Sequence, residues 1–307
     1  NSGQTEKNGF VSLQNAYHGE TVGALSVTDI PLFKTTYEPL LRPTVQVPTP
    51  DARLAAPGES AEAYALRCAD ALEAHLAAHA ATTAAFIVEP LVQGAAGMAM
   101  YHPVYLTRAR EVCTRYQVHL IADEIAVGFG RTGTLFACEQ AGVKPDFVCL
   151  SKGLTGGYLP LSAVLTTDDV YAAFWGDETA RGFLHSHSYT GNPLACRAAL
   201  AVLDIFEQDR VIAANRIKAQ AFTEILTEVA AHPRVRRFRH LGMIWAFDVA
   251  DATPGFAARF HRAALAHGVF VRPLGATVYA MPPYVTDTDA MRGLAATFLA
   301  CLGDPAV

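Results

Sequence analysis

The chain has 307 residues, of which 51% are hydrophobic and 17% are charged. This composition supplies a buried core and excludes general disorder, and the length favours a large domain plus a smaller one. The net charge is −5 and the basic residues are scattered, which excludes an evident binding surface for nucleic acid or an anionic membrane, so we expect a small-molecule partner.

The six cysteines are widely spaced, and the chain has neither a CxxC pair nor a histidine cluster at metal-ligand spacing, so no metal site is predicted. No apolar run reaches the roughly 20 residues that a membrane-spanning helix needs. The first residues, NSGQTEKNGF, are polar and unlike a signal peptide. These features predict a cytoplasmic protein with reduced cysteines. Because the chain lacks an initiator Met and reaches the strand-like FVSLQ within ten residues, we expect a further segment to precede it.

Short apolar runs alternate with longer segments of helical periodicity, which is typical of parallel strands joined by crossover helices. The predicted strands are 10–14, 85–88, 118–122, 146–150 and 161–165, and the predicted helices are 60–80 and 103–116. The proline-rich stretch 42–57 is predicted to be a loop. The expected fold class is therefore α/β, with a mostly parallel central sheet.

The pattern changes at about residue 209. A long helix through Ala230 is followed by the strand-like GMIWAFDV, a helix at 257–266, the strand-like VFVRP and TVYAMP, and a final helix. We therefore predict two domains, a large one over residues 1–208 that is incomplete at its N-terminus and a small α+β domain over residues 209–307.

The motif LIADEIAVGFGRTG ends an apolar strand in Asp123 and Glu124 and continues into a glycine-rich turn. Open α/β sheets bind ligands at the carboxyl ends of their strands, so these carboxylates are candidate site residues. They could instead cap the next helix, or hold magnesium as in P-loop ATPases. The ATPase interpretation needs GxxxxGK[ST], and in SKGLTGG the lysine precedes the glycines.

The next apolar run, PDFVCLSKGLTGG, places Lys152 at the end of a neighbouring strand, 29 residues after Asp123 (152 − 123). Amine and carboxylate can then face one pocket. A lysine at the end of a buried strand is costly to leave unpaired unless it meets an anion or forms an imine, and the alternative is a side chain that extends into solvent. An imine-forming lysine with an acid partner is what pyridoxal phosphate requires.

Four motifs, YHGET, DEIAVGFGRTG, LSKGLTGGYLPLSAVL and HSYTGNPLACRAAL, together resemble the class III aminotransferases of the fold type I pyridoxal-phosphate family. The resemblance runs through essentially the whole chain. It implies pyridoxal 5′-phosphate as cofactor and a homodimer with shared active sites. The family also carries a segment before YHG with a glycine–serine element that binds the cofactor phosphate, and the chain does not include that segment.

The resemblance implies the roles of the residues around the cofactor ring. Lys152 matches the Schiff-base lysine, and Asp123 matches the partner of the ring nitrogen. Tyr17 of the YHG motif matches the aromatic residue that stacks on the ring beside the substrate. Ile125 matches the apolar residue on the opposite face, although ordinary strand-end packing would place an apolar residue there as well.

Two further positions are expected at the cofactor. His18 follows Tyr17 and is expected near the ring, whereas most of the eleven histidines are expected to be structural. Ser188 matches a hydroxyl that reaches the phosphate of the cofactor in the partner subunit. The segment HSHSYTGN differs here from the more frequent HGPTFMGN. It keeps the hydroxyl, as Ser188, but has neither the glycine nor the proline that precede it.

The tail VFVRPLGATVYAMPPY resembles the family members that aminate 8-amino-7-oxononanoate in biotin biosynthesis, usually with S-adenosylmethionine and in some members with lysine as donor. In this subgroup Arg272 would pair with the carboxylate of the acceptor, which a guanidinium binds bidentately. Tyr279 and Arg131 would line the same pocket, with a core aromatic and a solvated guanidinium as alternatives. Ala95 stands where ornithine and 4-aminobutyrate enzymes have a glutamate. An aminotransferase for a diamine or a β-amino acid, or an inactive scaffold, remain alternatives.

Overall fold

The computed structural model describes residues 1–307, with eleven strands and ten α-helices. The strands are β1 (Gly9–Leu13), β2 (Val45–Val47), β3 (Thr83–Val88), β4 (Val92–Gln93), β5 (Ala99–Met100), β6 (His119–Asp123), β7 (Phe147–Leu150), β8 (Ala163–Thr166), β9 (Val235–Leu241), β10 (Ile244–Val249) and β11 (Thr277–Ala280). The helices are α1 (Val22–Val27), α2 (Pro31–Lys34), α3 (Ala61–His79), α4 (Val104–Arg115), α5 (Asp168–Ala172), α6 (Pro193–Gln208), α7 (Val211–Ile225), α8 (Thr227–Ala231), α9 (Phe256–Ala266) and α10 (Thr288–Gly303).

The central sheet has six strands in the order β2-β1-β3-β6-β7-β8. All neighbouring pairs are parallel except β7 and β8. The predicted α/β class with a mostly parallel sheet is confirmed. The last pair is antiparallel because twelve residues, 151–162, join β7 to β8, and they contain only a 3₁₀ turn where a parallel partner needs a crossover helix.

Helices α3 and α4 pack against each other and cover one face of this sheet. Helix α3 begins after Ser60, whose hydroxyl accepts a hydrogen bond from the amide of Ala63 at 3.1 Å. Such a cap satisfies one of the amides that the first turn leaves without a partner. The buried face of α3 joins a core of 28 buried residues that also includes β1, β3 and β6. This core holds the strands whose ends form the candidate site.

Two parts of the predicted secondary structure are wrong. The stretch 42–57 contains β2, which pairs with β1 at the edge of the sheet. Its flanking prolines, Pro43 and Pro48, lie just outside the paired residues, where the missing amide costs no ladder bond. VFVRP forms no strand, because only Val271 is buried and its carbonyl contacts His261 of α9 at 2.7 Å instead of a neighbouring strand.

The C-terminal part contains the antiparallel sheet β11-β10-β9 and a separate core of 21 buried residues. Strand β10 touches both cores. Ile244 and Ala246 pack into the core of the large sheet, whereas Trp245 and Phe247 pack into the C-terminal core. Alternate residues of a strand face opposite sides, so one strand can join two cores. The division at residues 208 and 209 stays a prediction, and α7 and α8 stand where one long helix was expected.

No helix in residues 1–307 combines the length and the apolar character needed to cross a membrane.

Asp146 connects β6 to β7, and we predict that Asp146→Asn lowers the free energy of unfolding at pH 7 by about 2 kcal/mol. Its carboxylate accepts hydrogen bonds from the Leu120 amide and from Arg110 Nη1, both at 2.7 Å. Burial alone would raise the pKa of Asp146, but His119, whose Nδ1 lies 3.8 Å away, and the hydrogen bonds from Arg110 and the Leu120 amide outweigh burial and hold the pKa well below its usual range.

A lowered carboxyl pKa stabilises the fold above the unfolded value of about 4, and this contribution disappears as the pH falls through the folded value. Urea denaturation should therefore show that the difference in free energy of unfolding between wild type and Asp146→Asn is smaller at pH 3 than at pH 7. Asp169→Asn on exposed α5 is the control, with a change below about 0.5 kcal/mol. If this difference is the same at both pH values, the lowered pKa of Asp146 is not its cause.

Candidate active site

Four neighbouring strands of the central sheet deliver polar side chains to one edge. Tyr17 and His18 follow β1, Glu89 follows β3, Asp123 ends β6 and Lys152 follows β7. These strands lie side by side in the order β1-β3-β6-β7 and run parallel. Their carboxyl ends therefore meet at one edge, which is where open α/β sheets bind ligands.

Asp123 is held from two sides while one edge of its carboxylate stays free. The side chain is buried, Oδ1 accepts the amide of Ile125 at 3.1 Å, and Oδ2 lies 2.8 Å from Nδ1 of His18. An ionised carboxylate only accepts hydrogen bonds, so we assign the proton to Nδ1 of His18. Each oxygen keeps a second lone pair. The arrangement can therefore accept one further N–H donor from a ligand.

Lys152 lies on a short turn directly after β7. It begins the 3₁₀ turn Lys152–Thr155 with φ 45°, a left-handed conformation. Gly153 follows, and a side chain there would place its Cβ 2.7 Å from Cβ of Phe129. The turn is therefore packed closely against Phe129, while the side chain of Lys152 is exposed. The expectation of a lysine behind a buried strand is wrong, because β7 is only half-buried and ends at Leu150.

Tyr17 stands beside His18 on the loop after β1. Its ring is half-buried and packs on Phe33, with the ring centroids 5.2 Å apart. The hydroxyl donates a hydrogen bond to Oε1 of Glu20 at 2.9 Å. Burial, and next the Glu20 carboxylate, raise the pKa of Tyr17. The ring is thus fixed at its outer edge.

Sequence reasoning missed Glu89, which is 4% exposed. Its carboxyl accepts hydrogen bonds from the amides of Tyr17 at 3.2 Å and Gly94 at 3.0 Å. Burial raises the pKa of Glu89 to about 7, although the charge of His18 and the two amides oppose the rise. The signal that could have found it is VEP, a carboxylate directly after an apolar strand, as in the motif that contains Asp123.

Glu124 does not belong to this site. The side chain is fully buried, and its oxygens accept the amides of Ala137 and Cys138, each at 2.9 Å. Burial raises its pKa. The capping alternative is therefore correct for Glu124, which stabilises the 3₁₀ turn Ala137–Ala141. Residues 1–307 contain no cluster of three or more His, Cys, Asp or Glu side chains that could hold a metal ion.

The structure does not bring the remaining predicted residues to the strand ends. Arg131 is occupied elsewhere: its Nη1 donates to the carbonyl of Pro282 at 2.8 Å, and its guanidinium lies 4.5 Å from the ring centroid of Tyr284. Burial lowers the pKa of Arg131. Tyr279 lies on β11 opposite Ala246 of β10 and packs against the core of the large sheet.

Arg272 and Ser188 are both exposed. Arg272 lines a cavity of about 290 Å³ together with Phe270 and His261. Ser188 lies in an irregular stretch before α6. Neither residue forms a hydrogen bond or an ion pair with Asp123. Their predicted roles in binding the substrate and the partner subunit's cofactor therefore remain predictions.

Comparison with known proteins agrees with this geometry. Residues 1–302 match the model of the aminotransferase class-III family. Adenosylmethionine-8-amino-7-oxononanoate aminotransferases of Helicobacter pylori and Geobacter sulfurreducens are 43% and 42% identical over 289 and 292 residues. Each alignment covers 92% of this chain and 64% of the relative, so the chain spans just under two thirds of their length.

Solved structures give the same result. The adenosylmethionine-8-amino-7-oxononanoate aminotransferase of Methanocaldococcus jannaschii has a TM-score of 0.88 at 32% identity, covering 98% of this chain and 69% of that one. An amine transaminase from an uncultivated Pseudomonas species, in its PLP-bound internal aldimine form, has a TM-score of 0.90 at 33% identity, covering 98% and 70%. The chain therefore belongs to the class III aminotransferases, a family that binds pyridoxal phosphate.

Proposed function

We propose that the protein is an aminotransferase that converts 8-amino-7-oxononanoate to 7,8-diaminononanoate in biotin biosynthesis, with S-adenosylmethionine as the amino donor. The observation that carries the proposal is the placement of Asp123, bound to His18, and of the exposed Lys152 at the carboxyl ends of the adjacent parallel strands β6 and β7. The relatives named for this reaction, at 43% and 42% identity, support the choice of substrate.

The residues at the strand ends fit pyridoxal phosphate. The cofactor needs an amine for its aldehyde, an anion for its protonated ring nitrogen, and apolar or aromatic contact on both ring faces. Lys152 forms no ion pair, and Asp123 keeps lone pairs free at the same edge. Tyr17 and Ile125 are both half-buried beside this edge, so each keeps surface for a ring. Ser188 is the candidate contact to the phosphate of the partner subunit's cofactor.

Each residue has a definite task in this proposal. Pyridoxal phosphate supplies an electron-withdrawing ring that stabilises the electrons left when the substrate carbon next to nitrogen loses its proton. Lys152 holds the cofactor covalently and, when its amine is free, moves that proton. Asp123 keeps a proton on the ring nitrogen by accepting its hydrogen bond, and His18 orients Asp123. Tyr17 and Ile125 hold the ring and exclude water from its faces.

The acceptor substrate is assigned to the side of Arg272. Its guanidinium forms no ion pair within the chain and lines an apolar-walled cavity with Phe270, so it can bind the tail carboxylate of 8-amino-7-oxononanoate. Tyr279 and Tyr17 would contact the chain of the acceptor. Arg131 would act from its place beside Pro282 and Tyr284, where it holds the MPPY segment.

A second candidate lies within the same family. A solved transaminase has a TM-score of 0.91 with this chain, and several amine and omega transaminases have 0.90, slightly above the 0.88 of the Methanocaldococcus enzyme. An aminotransferase for a diamine or β-amino acid, or one that uses lysine as donor, is therefore the alternative. A substrate profile that does not depend on Arg272 would favour it.

Lys152→Ala should abolish the visible absorption band that pyridoxal phosphate forms with the purified protein, because the band requires a covalent bond to an amine. Lys144→Ala removes an exposed lysine in the loop before β7 and should leave the band intact. S-adenosylmethionine should bleach the wild-type band, and 8-amino-7-oxononanoate should restore it. Bleaching by lysine or another amine alone would show that the donor is wrong. A wild-type protein without the band would refute the role of Lys152.

Arg272→Gln should lower kcat/KM for 8-amino-7-oxononanoate by roughly 100-fold, the effect of losing about 3 kcal/mol from a bidentate carboxylate contact. Steady-state kinetics with each substrate varied in turn would measure it. The bleaching rate with S-adenosylmethionine should change by less than about threefold, because the donor does not use this contact. Arg262→Gln, an exposed arginine of α9 without an ion pair, is the control. If the rates with both substrates fall equally, Arg272 does not act specifically on the carboxylate of 8-amino-7-oxononanoate.

The proposed homodimer is supported by an exposed apolar surface around α5 and α6. Six large side chains there are more than 70% exposed: Tyr158, Trp175, Phe183, Leu184, Tyr189 and Leu194. Exposed large apolar side chains that lie together on a surface are typical of protein interfaces, and we assign these six to one interface. Ser188 lies within the same stretch, so a second copy bound here would bring Ser188 towards the partner's site.

Sedimentation equilibrium should give a mass of twice the 32.9 kDa of one chain. Leu184→Asp should weaken the dimer at least tenfold, because the substitution buries an unpaired charge at the interface. Val285→Asp, at a position that is 91% exposed in the C-terminal part, should leave the mass unchanged. A monomeric wild type, or equal effects of the two substitutions, would count against this surface.

A further inference from the structure

Glu89 lies between the two residues that form the base of the cofactor site. Strand β3 separates β1, which leads to His18, from β6, which ends in Asp123. Val88 pairs with Ala122, so Glu89 and Asp123 each follow one member of an aligned pair. Two buried carboxyls and one imidazole therefore share one edge of the sheet. The proposed reaction assigns no task to Glu89.

The carboxyl of Glu89 is committed to backbone amides. One oxygen accepts the amide of Tyr17 and the other accepts the amide of Gly94. Each of these hydrogen bonds joins the end of β3 to a different loop. Both oxygens of Glu89 therefore accept backbone amides, and we assign its effect to the two segments that it holds.

The loop that contains Gly94 is itself held firmly. Arg53 donates to the carbonyl of Ala96 at 2.7 Å, and Arg239 donates to the carbonyls of Gly97 at 2.6 Å and Met98 at 2.9 Å. Arg239 belongs to β9, so this loop is attached to the C-terminal sheet. Glu89 therefore connects a firmly held loop to the Tyr17–His18 backbone.

The ring of His18 depends on this support. Nδ1 donates to Asp123, whereas Nε2 is buried and has no hydrogen-bond partner within the chain. The backbone amide of His18 donates to the hydroxyl of Thr28 at 3.0 Å. The orientation of the imidazole is thus set by one side-chain hydrogen bond and by the backbone on either side of it. Glu89 holds that backbone through the amide of Tyr17.

We propose that Glu89 is a positioning residue of the cofactor site: it fixes the Tyr17–His18 backbone so that His18 donates to Asp123, which keeps Asp123 directed at the ring nitrogen. The part concerning the ring nitrogen rests on the function proposed above. The part concerning His18 and Asp123 holds for the cofactor-free protein as well, and can be tested without the cofactor.

Glu89→Gln is the test variant, because glutamine keeps the size of the side chain but offers one acceptor oxygen to two amide donors. Glu124→Gln is the matched control. Glu124 is also a buried carboxylate that accepts two backbone amides directly after a strand, but it holds the turn Ala137–Ala141 and not His18. If replacing any buried carboxylate is enough to change the His18 signal or the cofactor affinity, both variants should show the change.

The first measurement uses cofactor-free protein labelled with ¹⁵N-histidine. The buried Nδ1–H of His18, bonded to a carboxylate, should give a downfield imidazole proton signal, identified by its absence in His18→Asn. We expect Glu89→Gln to shift or broaden this signal and Glu124→Gln to leave it in place. An unchanged signal in Glu89→Gln, or the same change in both variants, would overturn the proposal whether or not the protein binds cofactor.

The second measurement is the dissociation constant of pyridoxal phosphate, determined by titration of the same proteins. Glu89→Gln should raise it about tenfold or more, the effect of one lost charge-assisted hydrogen bond, and Glu124→Gln by less than about threefold. If wild type binds and Glu89→Gln binds equally well, the link to the ring nitrogen is wrong. If wild type does not bind, the proposed function fails, and the imidazole signal alone decides whether Glu89 positions His18.

Discussion

The hydrogen bond between His18 and Asp123 is the interaction on which the candidate site depends. It joins the loop after β1 to the end of β6 across the intervening strand β3, and both partners are buried. Removing two ionisable groups from water costs several kcal/mol unless further hydrogen bonds compensate. The amide of Ile125 supplies one of these to Asp123. A buried and oriented carboxylate results, at the edge of the sheet where Lys152 presents its amine.

Neighbouring carboxylates in this protein have opposite tasks. Asp123 faces the site, whereas Glu124 turns into the protein and caps a 3₁₀ turn. Successive residues at a strand end point to opposite sides, so one member of this acidic pair lies at the candidate site and the other belongs to the framework. Glu89 resembles Glu124 because it accepts hydrogen bonds from backbone amides. It resembles Asp123 because it lies at the same edge of the sheet as His18 and Asp123. The framework that supports the site is therefore as polar as the site itself.

The large-scale fold could be predicted because short Val- and Ile-rich runs alternate with capped helical segments, and parallel strand ends must share an edge. This was enough to place Asp123 and Lys152 together. Edge strand β2 was missed because its prolines suggested a loop, and VFVRP was taken for a strand although a single apolar residue of it is buried. Sequence patterns indicate how apolar a segment is, but they do not indicate which backbone amides and carbonyls form hydrogen bonds with a neighbouring strand.

The placement of Asp123 and Lys152 could be predicted because each follows or ends a strand of the parallel sheet, whereas contacts between distant parts of the chain could not. Glu89 was missed because its partners are backbone amides, which no side-chain motif reveals, and because the position of VEP directly after an apolar strand was not used. Arg131 was expected near the substrate, but its cation packs on Tyr284, an interaction between residues far apart in the chain. Ser188 and Arg272 are exposed in the single chain, and their roles involve a partner subunit or a substrate.

The most direct test of the central claim is a crystal structure of the protein with pyridoxal phosphate. We expect continuous density from Nζ of Lys152 to the cofactor, with a carboxylate oxygen of Asp123 within about 3 Å of the ring nitrogen. We also expect that His18 Nδ1 keeps its contact with the other oxygen. Cofactor bound elsewhere, or a ring nitrogen that faces solvent while Asp123 stays bonded to His18 alone, would contradict the account.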